Sequence, residues 1–178
     1  LDAGLVKGKP ALAYPARRSG SDFVGSYVQA TSPDGSAFNA PVDVFPIATG
    51  HYGIWLIDAG GHPAIVRALS STNLGFARAN DADGSSWAAP QDIGAFPTVN
   101  ETRLNADSPH GIPTLIFRDS ANNDELMVQR ATDAQGSGWL PPMIGAPELG
   151  EHPSMEWVAS GLAVSYGLGG DLWYRKIN

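Results

Sequence analysis

The chain has 178 residues, a formal net charge of -7 and no cysteine. Its length can bury a sizeable core, and its 43% hydrophobic and 16% charged residues exclude a disordered chain. The acidic charge argues against nucleic acid as the main partner, because phosphate binding needs clustered cations, and the absence of cysteine excludes disulfides and thiolate metal sites.

One sequence pattern recurs along the chain. Its copies begin at Gly8, Gly61, Gly111 and Gly161, which are 53, 50 and 50 residues apart. In the first three copies a proline follows two residues after the glycine and opens an apolar run. A period of this length is typical of propeller blades, each a small antiparallel sheet that cannot bury its faces alone. The repeat therefore predicts an all-β protein.

Each repeat has the pattern of four short strands, a to d, separated by turn residues, and no stretch has the apolar periodicity of an α-helix. Strand a is expected at 1–6, 52–57, 102–106 and 154–159, and strand b at the apolar runs. Strand c is expected at 26–30, 75–79, 127–131 and 172–175, and strand d near 41–44, 90–93 and 142–144. The prediction is one β-propeller domain, 1–178, with four-stranded antiparallel blades near 1–45, 46–95, 96–146 and 147–178. The last blade lacks its outer strand.

Arginine recurs within strand c. Arg78, Arg130 and Arg175 align at one repeat position when strand c is matched by sequence. Residues that recur in register are expected to make the same bond between neighbouring sheets, so we interpret these arginines as architectural.

A polar turn follows strand c in the first three repeats and ends in an aromatic residue. A glycine stands three residues before it each time, in the pairs Gly35 and Phe38, Gly84 and Trp87, and Gly136 and Trp139. This spacing suits a turn that needs a positive φ at glycine and then places a large ring between sheets. We therefore expect both tryptophans to pack between sheets and not to act as ligand platforms.

The polar turn resembles the Asp-box, or BNR, repeats of sialidase-like β-propellers. The whole unit resembles repeats of bacterial extracellular propeller proteins, which implies an extracellular or cell-surface location. One departure is that an Asp box has aspartate two residues before the glycine, where this chain has Ala82 between Asp81 and Asp83. Such a resemblance indicates fold and not catalysis.

Two geometries fit three complete repeats and three strands of a fourth. The chain either closes as a four-bladed ring, which we favour, or forms part of a larger ring completed by another chain or segment. In the first geometry the open edge of the last blade, near Trp173 and Tyr174, is a candidate surface for homo-oligomer formation.

The loops from strand d to the next strand a reach the propeller axis, where equivalent residues converge. His51, Asn100 and His152 share that loop position, with Tyr52 and Glu101 beside them. Imidazole, amide and carboxylate groups facing one channel mouth can hydrogen-bond a sugar or hold a cation. These five residues are the predicted ligand-binding site, and an axial cation is the one cofactor it admits.

No P-loop, dinucleotide fingerprint, serine-nucleophile elbow or zinc-protease motif is present, and no catalytic or metal-ligating residue is assigned. The expected function is a non-catalytic binding module for a carbohydrate or protein ligand. No apolar run approaches the roughly 20 residues of a membrane-spanning helix, so no membrane span is expected. Two alternatives remain open: a sialidase-like glycoside hydrolase, or a fragment of one, and a structural or assembly propeller.

Overall fold

The computed structural model describes residues 1–20, 22–47, 53–70, 72–95, 104–119, 125–146, 151–159 and 161–177. These residues form an all-β protein with four antiparallel sheets that follow one another along the chain. Within the described ranges there is no α-helix, and a short 3-10 turn spans Pro109–Gly111. The predicted fold class is confirmed at this level.

Each sheet consists of consecutive strands. The first contains β1 (Asp2–Val6), β2 (Lys9–Ser19), β3 (Asp22–Gln29) and β4 (Val42–Ile47), and the second contains β5 (Ile54–Asp58), β6 (Pro63–Ala68), β7 (Asn73–Arg78) and β8 (Gln91–Ala95). The third contains β9 (Leu104–Asp107), β10 (Thr114–Asp119), β11 (Glu125–Arg130) and β12 (Met143–Ala146), and the fourth contains β13 (Glu151–Val158), β14 (Gly161–Leu168) and β15 (Asp171–Ile177). The strand boundaries agree closely with the repeat pattern.

The repeated proline has a structural reason. The carbonyl oxygens of Pro10, Pro63 and Pro113 accept hydrogen bonds from the backbone N–H groups at the ends of the third strands, at 2.8, 2.9 and 2.8 Å. Proline at the start of a strand supplies this acceptor and has no N–H that needs a partner there. The motif therefore marks where the second and third strands of each sheet meet.

The core lies between successive sheets. Three apolar clusters occupy the interfaces of the first and second, second and third, and third and fourth sheets. The first strands of successive sheets pack together, β1 on β5, β5 on β9 and β9 on β13, whereas β1 and β13 have no comparable contact in the described ranges. On β1, Leu5 is 65% exposed. Among the described strands, none of another sheet covers this outer face of the first sheet.

The strand register corrects the arginine alignment. Arg78 and Arg130 pair with Ala64 and Thr114, on the face of each sheet that points to the next sheet. Arg175 instead pairs with Val164, which packs on the third sheet. Because side chains alternate across a strand, Arg175 lies on the opposite face of its sheet. A one-residue shift that the sequence match did not detect therefore separates it from the other two arginines.

Candidate binding site between the third and fourth sheets

The predicted channel-mouth residues are only partly placed. His51, Tyr52, Asn100 and Glu101 lie outside the described residues. His152 is exposed on β13, with a φ of 49°, and lines an open groove of about 780 Å³ together with Arg118 and Asp171. Among the residues that the structure describes, no three His, Asp or Glu side chains form a candidate metal site. The convergence of the five residues stays a prediction.

The polar turns, here called box turns (residues 32–38, 81–87 and 133–139), are organised by aspartate. Asp81 accepts hydrogen bonds from the backbone N–H and the hydroxyl of Ser85, both at 2.9 Å. Asp133 accepts the N–H of Ser137 at 3.1 Å and its hydroxyl in the same way. In the second and third box turns, the carboxylate three residues before the glycine therefore holds the turn, although a true Asp box has it two residues before.

Acid should weaken the third box turn. The Ser137 hydroxyl, aided by its backbone N–H, holds the pKa of Asp133 below its usual range. A carboxyl whose pKa is lower in the folded than in the unfolded state stabilises the fold at a pH above its unfolded-state pKa of about 4. This stabilisation is lost as the pH falls through the pKa of the folded state. Denaturant unfolding at pH 7 and at pH 2.5 gives the free energy of unfolding at each pH. This free energy should fall less between the two pH values in Asp133→Asn than in the parent. Ser137→Ala should reproduce part of this effect, and identical pH profiles for all three proteins would contradict it.

Each later box turn sits on the preceding sheet. The Trp87 ring meets Tyr27 of the first sheet edge to face, with centroids 5.2 Å apart, and Trp139 meets Phe76 of the second sheet at 5.8 Å. The Trp87 indole N–H also donates to the Gly84 carbonyl at 2.9 Å. These contacts confirm the tryptophans as packing residues. Burial raises the pKa of Tyr27, since the charged phenolate cannot be solvated there, so its hydroxyl is unsuited to serve as a nucleophile.

A cavity of about 430 Å³ lies between the third and fourth sheets, with no box turn over it in the described residues. Apolar side chains dominate its wall. It is lined by Pro109, Thr114, Val128, Arg130, Leu140, Pro141, Met143, Trp157, Gly161, Leu162 and Ile177. It has the size and composition of a site that binds a compact apolar group.

Three side chains that sequence reasoning did not bring together meet around Trp157, which lines this cavity with Arg130. The Arg130 guanidinium lies 5.5 Å from the Trp157 ring centroid, and the His110 ring packs edge-on against Trp157 at 4.6 Å. Arg78, at the matching position of the second sheet, donates from Nε to the Ala59 carbonyl at 3.0 Å. The buried Nε of Arg130 has no hydrogen-bond partner among the residues that the structure describes.

Asp107 belongs to the same row of the third sheet. Thr114 pairs with Asp107 on one side and with Arg130 on the other. Burial raises the pKa of Asp107; the backbone N–H of Ser108 opposes the shift, and the charge of Glu156 adds to it. Of this row, only Thr114 and Arg130 line the cavity, and the Thr114 hydroxyl already donates to the Ile112 carbonyl at 3.1 Å. The polar groups available to a ligand are therefore few.

One sequence signal points to this site. The third strands carry Tyr27 and Phe76 beneath the box tryptophans, whereas the third sheet has the smaller Val128 at that position. His110 lies in the turn between β9 and β10, and Arg130 was interpreted as architectural. Their meeting with Trp157 depends on how the fourth sheet packs, which residue spacing does not specify.

No family profile and no curated protein matches the chain. Solved structures with a similar fold include a protein of unknown function from Dyadobacter fermentans DSM 18053, with a TM-score of 0.57 and 14% identity over 94% of this chain. The chain spans 56% of the length of that structure. At such low identity the likeness shows a shared fold alone. Among the described residues, no helix is both long and apolar enough to cross a bilayer.

Proposed function

We propose that the four sheets are blades of a β-propeller of the Asp-box type and that the chain is a non-catalytic binding module. The box turns, the stacked first strands and the period near 50 residues support this assignment. The exposed outer face of β1 favours the geometry in which another chain or segment completes the ring. It does not favour a closed ring of four. An extracellular or cell-surface location accords with the bacterial repeats that these resemble.

The ligand proposed for the cavity is an apolar or aromatic group of a protein partner. The single observation that carries this proposal is an apolar cavity of about 430 Å³ whose wall includes Arg130, an arginine with a buried Nε that no described residue accepts from. A sugar would bury hydroxyl groups that need hydrogen-bond partners, and the wall offers few. An aromatic side chain with its backbone carbonyl would fill the space and supply an acceptor for Arg130.

Titration with N-acetyl-tryptophanamide, followed through the backbone amide NMR signals of the labelled chain, tests the site. We expect saturable shifts at Leu162, Met143 and Val128, which line the cavity. Trp157→Ala should weaken binding by about tenfold, because loss of an aromatic contact costs roughly 1.5 kcal/mol. Trp173→Ala is the matched control: it also removes a half-exposed tryptophan of the fourth sheet, but one that does not line the cavity.

Three outcomes would contradict the proposal. Equal losses in the two tryptophan variants would show that the probe does not use the cavity. Glycan binding that His152→Ala abolishes, with no response to the tryptophan probe, would favour the groove and a carbohydrate ligand. Hydrolysis of a fluorogenic sialoside by the purified chain would favour the hydrolase alternative.

A further inference from the structure

A smaller cavity, of about 260 Å³, lies between the first and second sheets, where the second box turn meets the first sheet. Both of these sheets have four strands. Polar and apolar side chains are mixed in its wall, in contrast to the larger cavity. It is lined by Tyr27, Val28, Gln29, Asn39, Ala40 and Val42 of the first sheet and by Asp83, Gly84 and Ser85 of the box turn.

Two buried side chains of this wall have polar atoms without a partner. Tyr27 and Gln29 are each 1% exposed, and among the described residues nothing hydrogen-bonds to the Tyr27 hydroxyl or to Oε1 of Gln29. The orientation of the Gln29 amide is fixed, because its Nε2 donates to the Val6 carbonyl at 3.0 Å and an oxygen could not donate there. Unpaired buried groups of this kind cost free energy.

The repeat architecture does not require these polar residues. The bridge from Ala30 to Phe38 in the first sheet corresponds to the bridge from Ala79 to Trp87 in the second. On this alignment, the polar residues Tyr27, Gln29 and Asn39 of the cavity wall are replaced in the second sheet by Phe76, Arg78 and Ala88.

Two of the polar groups are not needed for packing or for the turn. The rings of Tyr27 and Phe76 both pack edge to face on the tryptophan of the next box turn, so this contact forms without a hydroxyl. The third box turn has Gln135 where the second has Asp83, and the glycine that follows has the same φ of +68° in both turns. The box turn therefore forms without a carboxylate at this position.

A glutamine is not needed for the backbone hydrogen bond that Gln29 makes. Gln29 donates to Val6, four residues before the proline of its repeat, and Arg78 donates from Nε to Ala59, at the same distance before its own proline. Arginine thus bonds this carbonyl without adding a buried acceptor. The acceptor of Gln29 belongs to this cavity and not to the repeat.

The groups around the cavity suit a ligand that both donates and accepts hydrogen bonds. Asp83 and Gln29 offer acceptors, and the amide of Asn39 and the hydroxyl of Tyr27 offer both kinds of group. The Lys9 ammonium lies 3.8 Å from the Asp83 carboxylate and balances its charge. A cationic ligand, which only donates and would meet Lys9, fits this set less well than hydroxyl groups do.

We propose that this cavity binds one neutral sugar ring of a carbohydrate. The hydroxyl groups of the sugar bond to the exposed side chains of Asn39 and Asp83, and its C–H face packs on Val28 and Val42. The volume lies below the roughly 300–1,000 Å³ of pockets for drug-sized ligands, so it suits a single ring. The site is separate from the cavity between the third and fourth sheets and does not depend on the ligand proposed there.

The probes are methyl α-D-mannoside, methyl β-D-galactoside and N-acetylglucosamine, each titrated into the labelled chain and followed through its backbone amide NMR signals. At least one sugar should give saturable shifts at Val28, Val42 and Ser85, with a dissociation constant on the order of 1 mM. The signals of Leu162 and Met143, which line the other cavity, should not move.

Asn39→Ala and Asp83→Gln install residues that other repeats have at these positions, so the fold should be retained. Each should weaken sugar binding by about tenfold, because each removes a hydrogen bond or a charge-assisted one to the sugar. Asn80→Ala is the matched control, since it removes an exposed asparagine beside the same box turn that does not line the cavity. It should leave the dissociation constant unchanged.

Several results would overturn the inference. These are the absence of saturable shifts with all three sugars, or equal binding by the parent, Asn39→Ala and Asp83→Gln. Shifts caused by butylamine but by none of the sugars would show a cation site instead. Sugar-induced shifts at Leu162 and Met143, or loss of sugar binding in His152→Ala, would place the sugar elsewhere. The response to N-acetyl-tryptophanamide is measured at the other cavity, so it tests the proposed function separately.

Discussion

Trp87→Ala is expected to lower the free energy of unfolding by about 2–4 kcal/mol, as large-to-small substitutions at packed aromatic sites do. The ring joins two sheets through its contact with Tyr27, and its indole N–H fixes the turn through the Gly84 carbonyl. Urea unfolding followed by far-UV circular dichroism would measure the loss.

Phe38→Ala provides the matched control at the same repeat position. Phe38 is 45% exposed, and no described sheet precedes its own. The substitution should therefore cost about 1 kcal/mol or less, since little apolar contact is lost. Equal destabilisation by the two substitutions would show that the box aromatic acts only within its own turn and does not join sheets.

Gly84→Ala should cost about 2–4 kcal/mol, from backbone strain and overpacking together. The φ of Gly84 is +68°, which a side chain disfavours, and an added Cβ would lie 2.3 Å from Cε1 of Tyr27. The Tyr27 ring is buried between sheets and cannot move aside without disturbing the core. Urea unfolding again measures the effect.

Gly35→Ala separates the two contributions. Gly35 has the same φ of +68°, but the nearest neighbour of its added Cβ would be Cγ of Pro10 at 3.4 Å, an ordinary contact. Only the backbone strain remains, so the cost should be about 1 kcal/mol. If Gly84→Ala proved no more harmful than Gly35→Ala, the tight seating of the turn on the first sheet would be incorrect.

The repeat pattern predicted the strands because strand formation depends on local signals. Glycine, proline and alternating apolar residues mark turns and strands within one repeat, and the antiparallel pairing of neighbouring strands follows from the short connections. The box tryptophans were predictable for the same reason, since their spacing from glycine recurs. Arg175 was misaligned because a shift of one residue in register exchanges the faces of a strand, and matching by residue type does not detect such a shift.

The candidate site depended on contacts between repeats. Arg130, His110 and Trp157 come from two different sheets, and only the packing of those sheets brings their side chains together. The cavity itself lies between two sheets, and its lining residues come together only when those sheets pack.

Residue order alone was thus enough to establish an all-β chain of four similar sheets, because each sheet is specified by turn residues and alternation within about 50 positions. The packing of one sheet on the next settled which faces are covered, which side chains surround Arg130 and where a cavity opens. Those properties depend on side chains that are distant in the chain, and local spacing carries no information about how closely they approach.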